Sequence, residues 1–381
     1  MKRCLLITTS YPSRGPAGGE AAGAFVRDFA QILSKHIEVT VVAPALQAGT
    51  EQDDNVKVVY FLVPRMPLSL LSPLRPIDWW PITLALKHGA AAARREAGSF
   101  QPQHILAFWT LPGGFWAKLC ARALRIPYSV WALGSDIWTL GKIPLVRGIL
   151  RRTLREAKHC YADGEQLRRD VELLSGRSCD FLASARMLPC PKRSRFATQA
   201  PYKLAFLGRW HENKGADILM ETLLRLNDED WRLIDKVRIG GGGPLANVVE
   251  QGVRELQSAG RSLELHGFMG RQDAAELLGW ADWLMIPSRI ESIPVIFSDA
   301  LQAGCPMLAT PVGDLVHLVE SLGVGLCARS ADSEGFTELL KRGLRTSPGQ
   351  FSSGIVASAQ KFNVAESARR FLRDAELGAL D

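Results

Sequence analysis

The sequence lacks the features that mark several large classes of protein. Its 381 residues contain no apolar run of about 18 residues, so no transmembrane helix is predicted. Glycine (34 residues) and proline (21) occur at ordinary frequencies, which argues against collagen and low-complexity chains. The seven cysteines are widely spaced and form no CxxC pair, so neither a disulfide framework nor a zinc site is expected. A reducing cytoplasm is the expected compartment.

Two common nucleotide-binding fingerprints are also missing. No GxxxxGK[ST] phosphate loop occurs, and the glycine-rich stretch 239–245 departs from GxGxxG because residue 245 is leucine. What the chain does contain is 47% hydrophobic residues and only 22% charged ones, enough to build large buried cores. Its length favours two domains and allows three.

Charge is unevenly distributed along the chain. Residues 1–195 contain 27 basic and 15 acidic side chains, whereas the remainder contains 19 basic and 24 acidic ones. The basic half is therefore expected to meet an anionic partner: a membrane surface, a phosphorylated acceptor or nucleic acid. No nucleic-acid-binding signature supports the last of these.

Two segments of the first half bear on that partner. Five cations follow helical spacing on one face, which is either a solvated face or a contact for anionic ligands; they are Arg147, Arg151, Arg152, Arg155 and Lys158. Segment 61–86 is apolar, contains five prolines and carries Trp79 and Trp80. It is predicted not to form one helix, and it is either a loop packed on its own domain or an insertion that touches lipid headgroups.

Strand-like and helical segments alternate through the chain. Short buried runs at 5–8, 39–43, 104–109 and 127–133 alternate with amphipathic stretches, and the same rhythm resumes from residue 202 to residue 310. This pattern predicts parallel sheets covered by helices on both faces. A break at 187–201, rich in proline and basic residues, separates the two runs. We therefore predict α/β domains at 1–195 and 196–360, followed by a last helix at 361–381.

Candidate binding residues follow the predicted strands of the second half. Arg209 and Lys214 flank the turn that opens a helix, an arrangement suited to a diphosphate. Glu291 follows another strand, and Asp299 lies eight residues further on, inside the next helix. Carboxylates accept hydrogen bonds from sugar hydroxyls, so these two suit a sugar nucleotide. Isolated surface charges explain each motif equally well when it is taken alone.

Taken together, these motifs resemble a known family. LGRWHENKG, IGGGGP, LELHGFM and the stretch from IPSRIES to TPVGD are similar, in order and spacing, to the motifs of family 4 glycosyltransferases. The first half resembles the same family more loosely through SYP…GG, AFWTLPGG and WALGSDIW. The resemblance implies a GT-B fold, two Rossmann-like doubly wound domains facing each other across a cleft. It also implies that the last helix, at 361–381, crosses back to the first domain.

The resemblance also implies roles for individual residues. Arg209 and Lys214 would bind the donor diphosphate, Glu291 the donor sugar and Asp299 the ribose, with Arg209, Lys214 and Glu291 as the catalytic set. The remaining donor contacts would be Gly18, Gly19, Gly208, Gly242, Pro244, Phe268, Ser292, Ile293, Pro294 and Val295. Members of the family transfer sugars with retention and usually need no metal, so no cofactor is expected beyond the nucleotide-sugar donor.

Two positions depart from the family pattern. Asp299 stands where the family has glutamate, and Leu133 stands where the family usually has histidine near the reacting centre. Leucine offers neither a proton nor a donor. Either a neighbour such as Trp131, Ser135 or Asp136 replaces that histidine, or a front-face mechanism does without it, or the enzyme is impaired. Trp109 is either a sugar-stacking residue or core.

The sequence therefore predicts a retaining glycosyltransferase. Its donor would be a nucleotide sugar and its acceptor a glycan or lipid-linked molecule, with possible peripheral contact to an anionic inner membrane face and no nucleic-acid partner. Two alternatives stay open: a non-catalytic protein that binds sugar nucleotides, or an epimerase or inverting transferase on the same fold. An inverting enzyme needs a general base, and none of His36, His88, His104 and His159 stands at an obvious strand end.

Overall fold

The computed structural model describes residues 1–12, 23–68, 71–190, 193 and 196–378. These residues form two compact units: unit 1 is Met1–Ala183 with Val364–Asp381, and unit 2 is Ser184–Asn363. The sequence-based boundary after residue 195 falls inside unit 2, because the preceding residues bond to its helices. The Leu188 N–H donates to Gln302 Oε1 at 3.2 Å, and Arg193 donates to the Ala281 carbonyl at 2.6 Å.

Unit 1 is built on an eight-stranded sheet with the order β3-β4-β2-β1-β5-β6-β7-β8. Its strands are β1 (Arg3–Ile7), β2 (Glu38–Ala45), β3 (Gly49–Asp53), β4 (Val56–Leu62), β5 (His104–Phe108), β6 (Tyr128–Ala132), β7 (Cys160–Ala162) and β8 (Asp180–Phe181). All adjacent pairs are parallel except β3 with β4. The central strands are buried on both faces, which explains their continuous apolar runs.

Helices cover both faces of this sheet. They are α1 (Ala24–Leu33), α2 (Pro76–Phe100), α3 (Phe115–Leu124), α4 (Ser135–Trp138), α5 (Pro144–Glu156), α6 (Glu165–Ser175) and α15 (Val364–Asp374). The final helix α15 packs against α1, with the Phe29 and Phe371 rings 5.8 Å apart. Its buried residues recur at helical spacing, so the chain returns to unit 1 through an amphipathic face.

Segment 61–86 does not form one helix, as predicted, but it is not a loop throughout either. It contains the end of β4, an irregular stretch and the first eleven residues of α2. The prolines are tolerated because Pro76 occupies the first turn of the helix, where a missing N–H costs nothing. Pro81 lies one turn further on, where it removes only the bond to the carbonyl of Ile77, an exposed residue.

Unit 2 is built on a six-stranded, wholly parallel sheet with the order β11-β10-β9-β12-β13-β14. Its strands are β9 (Tyr202–Arg209), β10 (Ile234–Gly242), β11 (Leu263–His266), β12 (Trp283–Ile286), β13 (Met307–Ala309) and β14 (Gly325–Cys327). Its helices are α7 (Ala216–Leu224), α8 (Asp228–Trp231), α9 (Ala246–Ser258), α10 (Arg271–Trp280), α11 (Val295–Ala303), α12 (Leu315–Ser321), α13 (Ser333–Leu344) and α14 (Ser352–Ala359). The strands and helices predicted between residues 202 and 310 all form.

The strand order reverses direction once in each sheet. In unit 2 the chain moves from β9 through β10 to β11 on one side, and then returns to β12 on the other side of β9. In unit 1 the equivalent reversal lies between β1 and β5. Ligands of doubly wound sheets bind at the carboxyl ends of the strands at such a reversal. The candidate residues after β9 and β12 therefore belong to one edge of unit 2.

None of the helices in the described parts of the chain combines the length and the apolarity needed to cross a membrane.

Candidate functional site

Lys214 and Glu291 meet at the reversal point of unit 2. Lys214 ends a short 3-10 turn after β9, and Glu291 lies in the loop after the neighbouring strand β12. The Lys214 ammonium forms an ion pair with Glu291 Oε1, and the Ser288 hydroxyl lies 3.5 Å from the same oxygen. The carboxylate is mostly buried, whereas more than a third of the lysine side chain is exposed. Two groups far apart in sequence thus form one charged centre.

Close backbone packing brings these two loops together. Gly215 has a φ of +68°, and a Cβ placed on it would lie 1.8 Å from the Pro287 carbonyl oxygen. Only glycine allows this approach. The backbone N–H of Arg289 also donates to the Asn213 carbonyl at 2.8 Å. The start of α7 is therefore fixed against the end of β12.

A second ion pair reinforces the same junction. Arg289 binds both carboxylate oxygens of Asp217 at 2.7 Å and donates to the Glu212 carbonyl at 2.8 Å. Partial burial of Asp217 raises the pKa of its carboxyl, but the bonds from Arg289 outweigh it and leave that pKa below its ordinary value. The sequence analysis missed this pair, although Arg289 stands two residues before Glu291.

The N-terminus of α11 borders Glu291. Pro294 is the N-cap residue and Val295 the first helical residue, so the first amide groups of the helix point towards this edge of the sheet. Ser292 and Ile293 precede them and are buried. Among the described residues, none bonds to the Ser292 hydroxyl. The predicted stretch from Ser292 to Val295 thus offers donors suited to an anion or a hydroxyl.

The ends of β10 and β11 form the other side of this edge. The ring of Phe268, which follows β11, covers the backbone of Gly242: a Cβ on Gly242 would lie 2.7 Å from Phe268 Cε2. Phe268 is nearly half exposed, and Pro244 is also exposed. Gly208 and Arg209 end β9 beside them, with Arg209 exposed. Arg209 therefore lies on the predicted edge, with its side chain open to solvent.

Asp299 lies in a different environment from the one expected. It stands in the second turn of α11, is 1% exposed, and pairs with Arg186, whose Nε and Nη2 lie 2.8 and 2.7 Å from Asp299 Oδ2. Gln302 fastens the same segment by donating to the Arg186 carbonyl at 2.7 Å. The carboxylate expected to hold a ribose thus anchors residues 186–188, and Arg186 was not foreseen.

Four residues of unit 1 were expected near an acceptor or sugar, and two of them, Trp131 and Asp136, are buried. Trp131 is 0% exposed and packs against Phe29 and Phe108, so it is a core residue and has no surface for an acceptor. Asp136 is 1% exposed and accepts bonds from the Thr110 and Leu133 amides at 2.6 and 3.2 Å. Burial raises the pKa of Asp136, against the effect of these bonds. Asp136 is therefore a loop clamp, whereas Ser135 is exposed.

Trp109 directly follows β5 and is only partly buried. Its backbone has φ +63° and ψ 129°, a region that side-chain-bearing residues rarely adopt. The Asp136 clamp on Thr110 and a contact with Phe25, centroid to centroid 6.3 Å, hold it there. Strain of this kind costs about 1–3 kcal/mol and concentrates at functional sites.

Two of the predicted donor contacts, Gly18 and Gly19, lie outside the described residues. Within the described ranges, no cluster of three or more His, Cys, Asp or Glu side chains is arranged to hold a metal ion.

Comparison with solved structures identifies the fold. Sucrose-phosphate synthase from Thermosynechococcus elongatus superposes with a TM-score of 0.74 at 15% identity, covering 99% of both chains. HepE from Anabaena in complex with UDP gives 0.70 at 14% identity, covering 99% of this chain and 100% of that one. At such identities the likeness shows the fold, which is the predicted GT-B class.

Sequence comparison finds a family match within unit 2. Residues 201–346 match the family described as "Glycosyl transferases group 1", which confirms the resemblance for most of unit 2. The chain is 30% identical to D-inositol 3-phosphate glycosyltransferase of Corynebacterium aurimucosum over 172 residues, 43% of this chain and 40% of that protein. It is 33% identical to lipopolysaccharide glucosyltransferase WaaG of Escherichia coli over 85 residues, 22% and 23% of the two chains. The matches thus span less than half the length of these relatives.

Proposed function

We propose that the protein transfers a sugar from a nucleoside-diphosphate donor to a glycan or lipid-linked acceptor, with retention of configuration and without a bound metal. The observation that carries this proposal is the pairing of Lys214 with Glu291 beside the N-terminus of α11. One edge of unit 2 thus offers a cation and helix amides for a diphosphate, and a carboxylate for sugar hydroxyls.

In this proposal the ion pair is the resting state of the donor site. A diphosphate would draw Lys214 away from Glu291, and the released carboxylate would accept hydrogen bonds from the donor sugar. The bond between the anomeric carbon and the phosphate oxygen breaks as the acceptor oxygen bonds to that carbon, and the acceptor proton leaves with the phosphate. Arg209, Lys214 and the α11 amides would stabilise the charge that develops on the leaving diphosphate.

Departure of the proton with the phosphate accounts for Leu133. No side chain at that position has to act as a base, because the leaving group itself accepts the proton. For the acceptor we propose Trp109 and Ser135 as contacts and Asp136 as the positioning residue that holds Trp109 in its strained conformation. An acceptor linked to lipid implies peripheral contact with an anionic membrane and accords with the excess of basic residues in the first half.

A thermal-shift experiment tests the donor site. UDP is the first probe, because the Anabaena neighbour was solved with it; GDP, ADP, dTDP and NAD complete the panel. A ligand at about 100 times its dissociation constant adds about 2.7 kcal/mol of stability. We expect one nucleoside diphosphate to raise the melting temperature of the wild type, and Lys214→Ala to abolish that shift.

Lys236→Ala is the matched control. Lys236 also forms an ion pair, with Glu264, but it lies near the amino end of β10, away from the candidate edge. We expect this variant to keep the shift. Equal shifts in both variants, or a response to NAD alone, would refute the donor site.

Glu291→Gln separates sugar recognition from diphosphate binding. The variant removes a negative charge next to Lys214, so we expect it to bind UDP at least as tightly as the wild type. We also expect it to lose any extra stabilisation by UDP-glucose over UDP, and to lose turnover. Weaker UDP binding in Glu291→Gln would contradict the proposed exchange of partners.

A further inference from the structure

The start of α2 displays large apolar side chains to solvent. Leu74, Ile77, Trp79 and Trp80 are 79%, 81%, 59% and 69% exposed. Such side chains are ordinarily removed from water, and four of them within seven residues form a patch rather than scattered exceptions. We call residues 74–80 the aromatic turn.

Hydrogen bonds within unit 1 hold the aromatic turn in place. Asp78, which is 1% exposed, accepts a bond from the Ser72 amide at 3.0 Å and pairs with Arg65 at 3.4 Å. The indole N–H of Trp79 donates to the Pro73 carbonyl at 2.8 Å. A buried carboxylate thus fastens the preceding chain to the first turn of the helix. These hydrogen bonds and the ion pair hold the exposed rings in place, so their exposure does not result from fraying at the helix end.

A second exposed patch lies at the start of α5. Leu145 is 86% exposed and Ile149 is 45% exposed, and the neighbouring Lys142, Arg147 and Arg151 are exposed as well. Both helices run from the carboxyl end of one strand to the amino end of the next, so both begin at the carboxyl edge of the unit 1 sheet. The two helices pack on either side of α3. Both first turns therefore lie on the carboxyl side of the unit 1 sheet, on helices that share α3 as a neighbour.

The exposed charges of this rim are all positive. Segments 71–80 and 139–152 contain a single acidic residue, the buried Asp78, whereas Arg75, Lys142 and Arg147 are exposed. A second copy of the chain would bring these cations against each other. A surface rich in phosphate headgroups would instead attract them, at about 1 kcal/mol for each basic side chain near it. Tryptophan is also the side chain that best fits the boundary between headgroups and acyl chains.

We propose that the aromatic turn and the first turns of α5 dock unit 1 onto an anionic lipid bilayer. Trp79, Trp80 and Ile77 insert at the headgroup boundary, and the flanking cations bind lipid phosphates. The docking rests on the membrane contact of the proposed function and places the carboxyl edge of the unit 1 sheet, where Trp109 lies, on the side of unit 1 that faces the lipid.

Vesicle flotation of the full chain tests the proposal. The vesicles are phosphatidylcholine alone or with about 30% phosphatidylglycerol, at low and at about 0.5 M salt, where screening is strong. We expect binding to the anionic vesicles at low salt and much less to neutral ones. The double variant Trp79→Ala/Trp80→Ala should reduce partitioning at least about tenfold, because two aromatic anchors are lost.

Leu173→Ala is the matched control, because Leu173 is 84% exposed on α6 of the same unit and lies outside the aromatic turn. It should bind vesicles like the wild type. Unchanged binding by the double tryptophan variant would overturn the proposal, as would equal losses in Leu173→Ala or no binding of the wild type to anionic vesicles. The melting curve of each variant shows whether it is folded, and its UDP shift shows whether its donor site works. Because neither measurement depends on membrane binding, a loss of vesicle binding can be told apart from misfolding and from failure of the donor site.

Discussion

Replacing Asp299 by alanine should destabilise unit 2 strongly. The change leaves the guanidinium of Arg186, whose side chain is only 12% exposed, without the carboxylate that now lies 2.7 Å from it. Removing one partner of a buried ion pair costs about 3–5 kcal/mol, because the other charge stays buried and uncompensated. By contrast, Glu250→Ala breaks an exposed pair with Arg254 on α9 of the same unit and should cost less than about 1 kcal/mol.

Urea unfolding followed by hydrogen exchange measures this difference. Because the chain has two units, a single transition cannot be assumed, and exchange in peptides that contain α11 reports on unit 2 directly. The paired replacement Arg186→Met/Asp299→Leu should recover most of the loss, since apolar side chains of similar size replace buried ion pairs at little cost. If Asp299→Ala were no more destabilising than Glu250→Ala yet abolished UDP binding, the carboxylate would be a ribose ligand and the pairing argument would fall.

The remaining predictions concern folding. Gly215→Ala should destabilise unit 2 well beyond Gly260→Ala. Both glycines have positive φ, but of the two only Gly215 would place the added methyl against a backbone atom, the Pro287 carbonyl oxygen. Equal losses of stability in urea would mean that the backbone around Gly215 shifts to accommodate the methyl group. Burial lowers the pKa of His104 to about 3. As pH falls below about 6.5, His104 is therefore protonated in the unfolded chain but stays neutral in the folded one. The free energy of unfolding of unit 1 should fall by up to about 1.4 kcal/mol per pH unit, down to about pH 3. Acid titration of stability checks this, and His104→Gln should lack that slope.

The fold was largely predictable because its signals are local. Parallel strands that are buried on both faces must be short apolar runs, and glycine or proline marks their ends, so the elements from residue 202 to residue 310 could be placed within a few residues. Segment 61–86 was correctly predicted not to form one helix, but the start of α2 within it was missed for the same local reason. Proline was taken as a helix breaker, whereas its effect depends on its distance from the helix start.

The candidate site was predictable only where topology brings residues together. Lys214 and Glu291 were each predicted at a strand end, and the strand order makes those strands neighbours at the reversal point, which brings the two residues together. Arg186 carried no such signal. Its partner lies more than a hundred residues away on a helix, and no period or motif in the sequence connects the two. Trp131 failed as an acceptor contact because a strand end and a strand interior differ by only a few residues.

The ion pairs of unit 2 explain why Lys214 is the residue on which donor binding should depend. Arg289 is held by two bonds to Asp217, and Arg186 is buried against Asp299, so neither cation can turn towards a ligand without leaving a carboxylate uncompensated. Among the residues that the structure describes, Lys214 forms one ion pair, with Glu291, through a flexible and partly exposed side chain. An arriving diphosphate offers it a second anion at little reorganisation cost, and the carboxylate that it leaves, Glu291, becomes available where the sugar begins. A resting ion pair of this kind therefore couples the two halves of donor recognition.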